Sequence, residues 1–292
     1  MVNKKIVLIG PAGTGKTSIK KTFFEKYSPI SLMEYPLKPS RGINSSNYNL
    51  LDSKLGVFDL AGQENESWLS NSDKSIFNNS NVIICIFDIH NSVERIIQFL
   101  LRIYQIKKEL DLKSCRVVAF LHKIDLVSDS YIEQKRKTIY EFVTTQHPRG
   151  SHFEIFKTSI TQPHYYNTFR ILSDILKIIL PHEEILAQSD QRDDLRHDFF
   201  RILDGFEGKH VRVENLVSRL KESEKNINFY INELEKIGFI KPLEEINTFV
   251  LSDSIYFYKI GLEQKRKSVA EREDELEFET FYFFIILNDF NA

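Results

Sequence analysis

Residues 6–17 read IVLIGPAGTGKT. Gly10-Pro11-Ala12-Gly13-Thr14-Gly15-Lys16-Thr17 satisfies the spacing G-x-x-x-x-G-K-S/T in full, directly after an apolar run that reads as a strand and before a helical stretch at 17–27. Glycines let the backbone curl so that successive N–H groups face inward at phosphate oxygens, and the helix start adds its positive dipole end. Lys16 then supplies a point charge for the β and γ phosphates, and the Thr17 hydroxyl can ligate Mg²⁺. Gly10, Ala12, Gly13, Thr14, Gly15, Lys16, Thr17 and Ser18 are accordingly taken as nucleotide-binding positions.

Outward from this loop, apolar runs recur at 55–60 (LGVFDL), 82–88 (VIICIFD), 116–122 (RVVAFLH) and 153–159 (FEIFKTS). Strands this continuously apolar are buried on both faces, which implies a parallel sheet covered by helices. The stretch 92–110, with Val93, Ile96, Ile97, Leu100, Tyr104 and Ile106, has helical spacing. Strands alternating with helices predict a doubly wound α/β domain with its ligand at the carboxyl ends of the strands.

The phosphate loop does not by itself choose between ATP and GTP, so an ATP-using enzyme is one alternative. A second signal, Asp59-Leu60-Ala61-Gly62-Gln63-Glu64, ends the strand at 55–60. There Asp59 can hold Mg²⁺, the Gly62 N–H can approach the γ-phosphate, and Gln63 can orient an attacking water. Between the two motifs lies PSRGI (39–43), whose Ser40 offers a hydroxyl to Mg²⁺. The surrounding 28–46, rich in Pro, Gly, Ser and Asn, reads as a loop ordered by the γ-phosphate. The metal-ligand set anticipated is Thr17, Ser40 and Asp59; the catalytic pair is Gln63 and Lys16.

Residues 1–180 resemble a Ras-superfamily GTPase, most closely the Rag family. The resemblance is carried by the phosphate loop, FDLAGQE (58–64), IFNNSNVIICIFDI (76–89), FLHKIDLV (120–127) and FKTSI (156–160). His-Lys-x-Asp and Thr-Ser-Ile stand where most Ras-like chains have Asn-Lys-x-Asp and Ser-Ala-Lys, and both are the Rag versions. The resemblance implies that Asp125 accepts from guanine N1–H and the exocyclic amine. Lys123 would cover the base plane with its head toward the phosphate loop, His122 would brace neighbouring loops, and the backbone of Thr158, Ser159 and Ile160 would face the guanine oxygen. Two positions depart from the Ras pattern. Ala12 stands where Ras has Gly, which argues against activation by an inserted arginine finger, and Ser40 replaces Thr. The implied activity is slow hydrolysis of GTP to GDP and phosphate with Mg²⁺.

After Pro181 the pattern changes. We divide the chain into a G domain at 1–181, a linker at 182–193, a smaller helical, winged-helix-like domain at 194–262 and a tail at 263–292. The winged-helix order rests on a helical face at Leu195, Phe199 and Phe206, a short strand at 210–213, helices at 214–221 and 225–236 stopped by Gly238, and strands at 239–240 and 248–251 around a turn. The third helix, which would read DNA, contains no arginine, and 190–262 carries 11 Lys/Arg against 14 Asp/Glu. Such a surface lacks the basic contacts that duplex binding requires, so protein interaction is preferred over a GTP-gated nucleic-acid regulator. The Rag C-terminal dimerisation domain finds no match here. Partners anticipated are guanine nucleotide, regulatory and effector proteins, and a homo- or heterodimer mate. The tail combines a charge run at 265–267 with the apolar FYFFIIL at 281–287, which is far too short to cross a bilayer.

The whole 292-residue chain is 42% hydrophobic and 27% charged, with 39 Lys/Arg against 41 Asp/Glu, so no broad field attracts nucleic acid or acidic membrane. Cys85 and Cys115 both lie in apolar runs, which fits two reduced core thiols in a cytoplasmic protein.

Overall fold

All five apolar runs form strands in the computed structural model, which describes residues 2–35, 37–50, 53–70, 74–146, 153–179 and 201–268. They are β1 (Val2–Ile9), β3 (Ser53–Leu60), β4 (Val82–Asp88), β5 (Arg116–His122) and β6 (Glu154–Thr158). A further strand, β2 (Ile43–Leu50), completes a six-stranded sheet of order β2-β3-β1-β4-β5-β6. Only β2 is antiparallel. Sequence periodicity missed β2 because INSSNYNL has no apolar alternation. It lies at the sheet edge with Ile43, Asn44, Ser45 and Asn47 exposed, and its order comes from the ladder with β3. The predicted loop at 28–46 likewise contains a short helix, α2 (Pro29–Glu34).

The parallel register brings five strand ends to one edge. Leu8 pairs with Asp59 and with Ile84, Asp88 pairs with His122, and His122 pairs with Thr158. The segment after β1 runs into α1 (Lys16–Phe24), and it leaves from the point where the order reverses, with β3 on one side of β1 and β4 on the other. Ligand crevices form at such reversals.

The described residues pack as two compact units, one from Met1–Lys21 and Tyr35–His164, the other from Thr22–Glu34 and Tyr165–Ala292. In the first, α4 (Val93–Glu109) and α5 (Asp129–Gln146) bring Ile96, Phe99, Leu100, Ile103, Ile132, Ile139 and Val143 into one core with Ile83, Cys85, Phe87, Val117, Ala119 and Leu121. Ser92 caps α4 by accepting from the Arg95 N–H. Each large apolar side chain so buried contributes about 1.5–3 kcal/mol. Both cysteines are free and buried in this unit, and burial raises each thiol's pKa, Cys115 to about 11.

The second unit is built on aromatic contacts. Phe23 lies 5.0 Å from Tyr165 and 6.2 Å from Phe169, Tyr165 lies 5.9 Å from Phe257, and Tyr166 lies 5.1 Å from Tyr258, centroid to centroid. Its elements include α6 (Gln162–Ile179) from Tyr165 onward, then α7 (Val213–Leu220), α8 (Glu224–Lys236) and α9 (Asp253–Ser268). A three-stranded sheet follows the order β7 (His210–Arg212), β9 (Thr248–Leu251), β8 (Ile240–Pro242). Ser223 caps α8, and Gly238, at φ +77°, turns the chain after it into β8. The helix α9 runs through residue 262, where the sequence reading had set a boundary. The linker at 182–193 and the apolar run at 281–287 lie outside the described residues.

Candidate functional site

Lys16 is almost fully buried, and its Nζ donates to the carbonyls of Gly10 and Pro11, each at 2.7 Å. Burial lowers its pKa to about 8, with Asp59 acting in the opposite sense. The loop it closes is held by Thr14 Oγ1 donating to the Pro11 carbonyl at 3.0 Å. Ser18 follows on α1, half-buried, while Ala12 and Gly13 are exposed.

The three anticipated metal ligands meet. Thr17 Oγ1 lies 3.0 Å from Ser40 Oγ and donates to Asp59 Oδ2 at 2.6 Å, with Asp59 fully buried at the end of β3. Two hydroxyls and a carboxylate are hard oxygens of the kind Mg²⁺ accepts beside waters and phosphate oxygens, so the residues fit that ion. Among the described residues no cluster of three or more His, Cys, Asp or Glu is placed to hold a metal.

Gly62 lies against the phosphate loop itself. A Cβ there would sit 2.5 Å from the Ala12 nitrogen and the Pro11 carbonyl carbon, both backbone atoms, so any larger residue would separate the two segments. Gln63 follows in a 3₁₀ turn (Gly62–Glu64) with its side chain exposed. Two neighbours that the sequence did not single out tie this turn down. Glu64 Oε1 accepts from the Gly42 N–H at 2.8 Å, and Asn65 Nδ2 donates to the Gly10 carbonyl at 3.0 Å. No spacing rule distinguishes these two polar residues, and only the fold reveals their partners.

On the other side of the crevice, His122 is 2% exposed at the end of β5 and its Nδ1 lies 3.1 Å from Thr158 Oγ1. Its ring rests against the phosphate loop, since a Cβ on Gly15 would fall 2.5 Å from its Cδ2. Burial, then Lys123, lowers its pKa to about 4, while Asp125 and Asp88 act to raise it, so the ring is neutral at pH 7. Lys123 adopts a left-handed backbone, φ 63°, and its Nζ donates to the Gly13 carbonyl and to Asp88 Oδ2, each at 2.7 Å. Asp88 was missed by the sequence reading, although a carboxylate ending β4 as Asp59 ends β3 was the available signal. Burial raises the Asp88 pKa, but hydrogen bonds from Lys123 and His90 outweigh it and bring the group below its ordinary value. Asp125 is exposed and accepts from Ser159 Oγ. Thr158, Ser159 and Ile160 are all buried beside it.

With a phosphate cradle leaving β1 and the paired loops after β5 and β6 facing it, the class is that of a phosphate-loop G protein. The family follows from comparison: the Gtr1/RagA G protein conserved region matches residues 5–192, and the chain belongs to that family. Ras-related GTP-binding protein A of Dictyostelium discoideum is 26% identical over 194 residues, 63% of this chain and 60% of that protein. GTP-binding protein gtr1 of Schizosaccharomyces pombe is 28% identical over 149 residues, 47% of this chain and 46% of its own length. The chain thus matches less than two thirds of the length of either relative. Among solved structures, the bacterial selenocysteine-specific elongation factor EF-Sec is 17% identical with a TM-score of 0.45, covering 61% of this chain and 29% of that one.

Proposed function

We propose that the protein is a GTP/GDP switch that hydrolyses GTP slowly, with Mg²⁺ held by Thr17, Ser40 and Asp59. The observation that carries this reading is the convergence of Thr17, Ser40 and Asp59 beside the Lys16 loop, within a chain of the Gtr1/RagA family. Mg²⁺ supplies charge neutralisation of the β and γ phosphates. Lys16 exchanges its carbonyl partners for phosphate oxygens, the Gly62 N–H meets the γ-phosphate, and Gln63 orients water for in-line attack. Asp125 selects guanine because adenine cannot satisfy its paired contact, and an unpaired carboxylate is costly.

The G domain is assigned to 1–181, followed by a linker at 182–193 and a smaller winged-helix-like domain at 194–262, whose last helix, α9, continues past that boundary to Ser268. This domain is read as a protein-interaction module in a cytoplasmic signalling protein. Among the described residues no helix is long and apolar enough to cross a membrane.

Single-turnover assays test the reading. GTP cleavage on the order of 10⁻⁴ to 10⁻³ s⁻¹ is expected without an activator. Gln63→Leu should bind GTP but cleave it at least about tenfold more slowly, and Lys16→Ala should lose phosphate-dependent binding. Wild-type protein without turnover, indistinguishable from both variants, would leave a nucleotide-locked binding module instead.

A further inference from the structure

The opposite end of the same sheet carries a groove that the nucleotide chemistry does not use. At the amino ends of β1 and β3, Lys5 pairs with Gly56 and Asn3 with Lys54, while Gly56 pairs with Asn47 of β2. Strand alternation puts these residues and Phe58 on one sheet face. They line a cavity of about 550 Å³ whose described walls hold three lysines, with Lys4 as the third, and no carboxylate.

Two features of its wall bear on what it could take. Gly56 lets the Phe58 ring and the Asn47 side chain pack down onto the strand as its walls, since a Cβ there would lie 2.9 Å from Phe58 Cε2 and 3.3 Å from Asn47 Oδ1. Lys5, half-buried in the wall, is held only by neutral groups among its described contacts. Its Nζ donates to the Asn78 carbonyl at 3.1 Å and stands 4.7 Å from the centre of the Phe58 ring. Burial lowers its pKa, a cost that an anion beside it would remove.

We propose that this face docks an extended acidic segment of a partner protein, with carboxylates at alternate positions, all on the side turned to the sheet, reaching Lys5 and Lys54. The spacing supports a peptide. Lys5 and Lys54 are offset by two residues across one pairing, roughly 8 Å, and alternate residues of an extended chain lie about 7 Å apart on one side. The openness of the groove argues against a small anion. Asn3, Asn47, Lys54, Asn78 and Asn79 are all exposed, so a lone phosphate would keep its water, whereas an extended peptide can bridge both cations.

The test uses the full chain loaded with GDP and a fluorescent hexapeptide of alternating glutamate and valine, read by anisotropy at low salt. Saturable binding is expected, weakened at least about tenfold by Lys54→Gln and by Lys5→Gln. It should be unchanged by Lys113→Gln, an exposed lysine paired with Asp111 elsewhere in the unit. Lys54 is exposed, so its variant reports even if Lys5→Gln fails to fold. The proposal is overturned by absence of binding, by equal binding to Lys54→Gln, or by equal affinity for an isomer with its glutamates contiguous. Full displacement by an equal concentration of inorganic pyrophosphate would also overturn it, in favour of a small-anion site.

Discussion

His122 and Asp125, close together after β5, have opposite surroundings. The imidazole is buried, neutral and wedged between Gly15 and Thr158, whereas Asp125 is exposed and accepts from Ser159 Oγ. His122→Asn should therefore keep guanine preference, and Asp125→Asn should lose at least about 100-fold in the GTP-to-ATP affinity ratio; competition of labelled GTP by ATP measures both. The buried ring also makes stability depend on pH. An unfolded chain protonates this histidine at about 6.5, but the folded ring resists until about 4. Its contribution is complete above the unfolded value and is lost as pH falls through this window, by up to about 3 kcal/mol. Thermal unfolding between pH 7.5 and 4.5 should show a shallower slope for His122→Asn. Lys16 titrates in the opposite context. Bound phosphates favour its charged form, so above pH 8 nucleotide binding must take up a proton and GDP affinity should fall with rising pH, a trend that Lys16→Met removes. At this scale the sequence was most legible where spacing itself is chemical, as in the loop from Gly10 to Thr17. Glu64 and Asn65 left no such mark, because their partners lie 22 and 55 positions away; Asp88 showed as a strand-end carboxylate, but its pairing with Lys123, 35 positions away, did not.

Among elements, the buried parallel strands were readable because burial on both faces writes itself as an unbroken apolar run. The edge strand β2 and the helix α2 leave no such mark, the first ordered by its ladder with β3 and the second only six residues long. In the proposed switch, the turn between β3 and α3 (Asn65–Leu69) acts through its closeness to the phosphate loop. Gly62→Ala cannot keep that approach, because the atoms it would meet are backbone. This variant should still bind GDP yet hydrolyse GTP at least about tenfold more slowly than wild type, through a misplaced Gln63. A normal single-turnover rate would mean that Gly62 need not touch the loop.

For the whole molecule, the division into two compact units does not follow one cut in the chain, since Thr22–Glu34 belongs with Tyr165 onward. Sequence periodicity reads segments in order and has no signal for a segment that packs with a distant one; aromatic residues at 23, 165, 169, 257 and 258 are each unremarkable alone. The close approach of α9 to α6 depends on Gly261, where a Cβ would fall 2.3 Å from the Tyr166 Cβ. Gly261→Val should destabilise the protein by about 1–3 kcal/mol in thermal unfolding. Native mass spectrometry of the purified full chain reports base, phosphate count and metal together. The account predicts one guanine nucleotide with one Mg²⁺ per chain, both lost in Lys16→Ala. Retention of an adenine nucleotide, or of no nucleotide even after incubation with GTP and Mg²⁺, would contradict it.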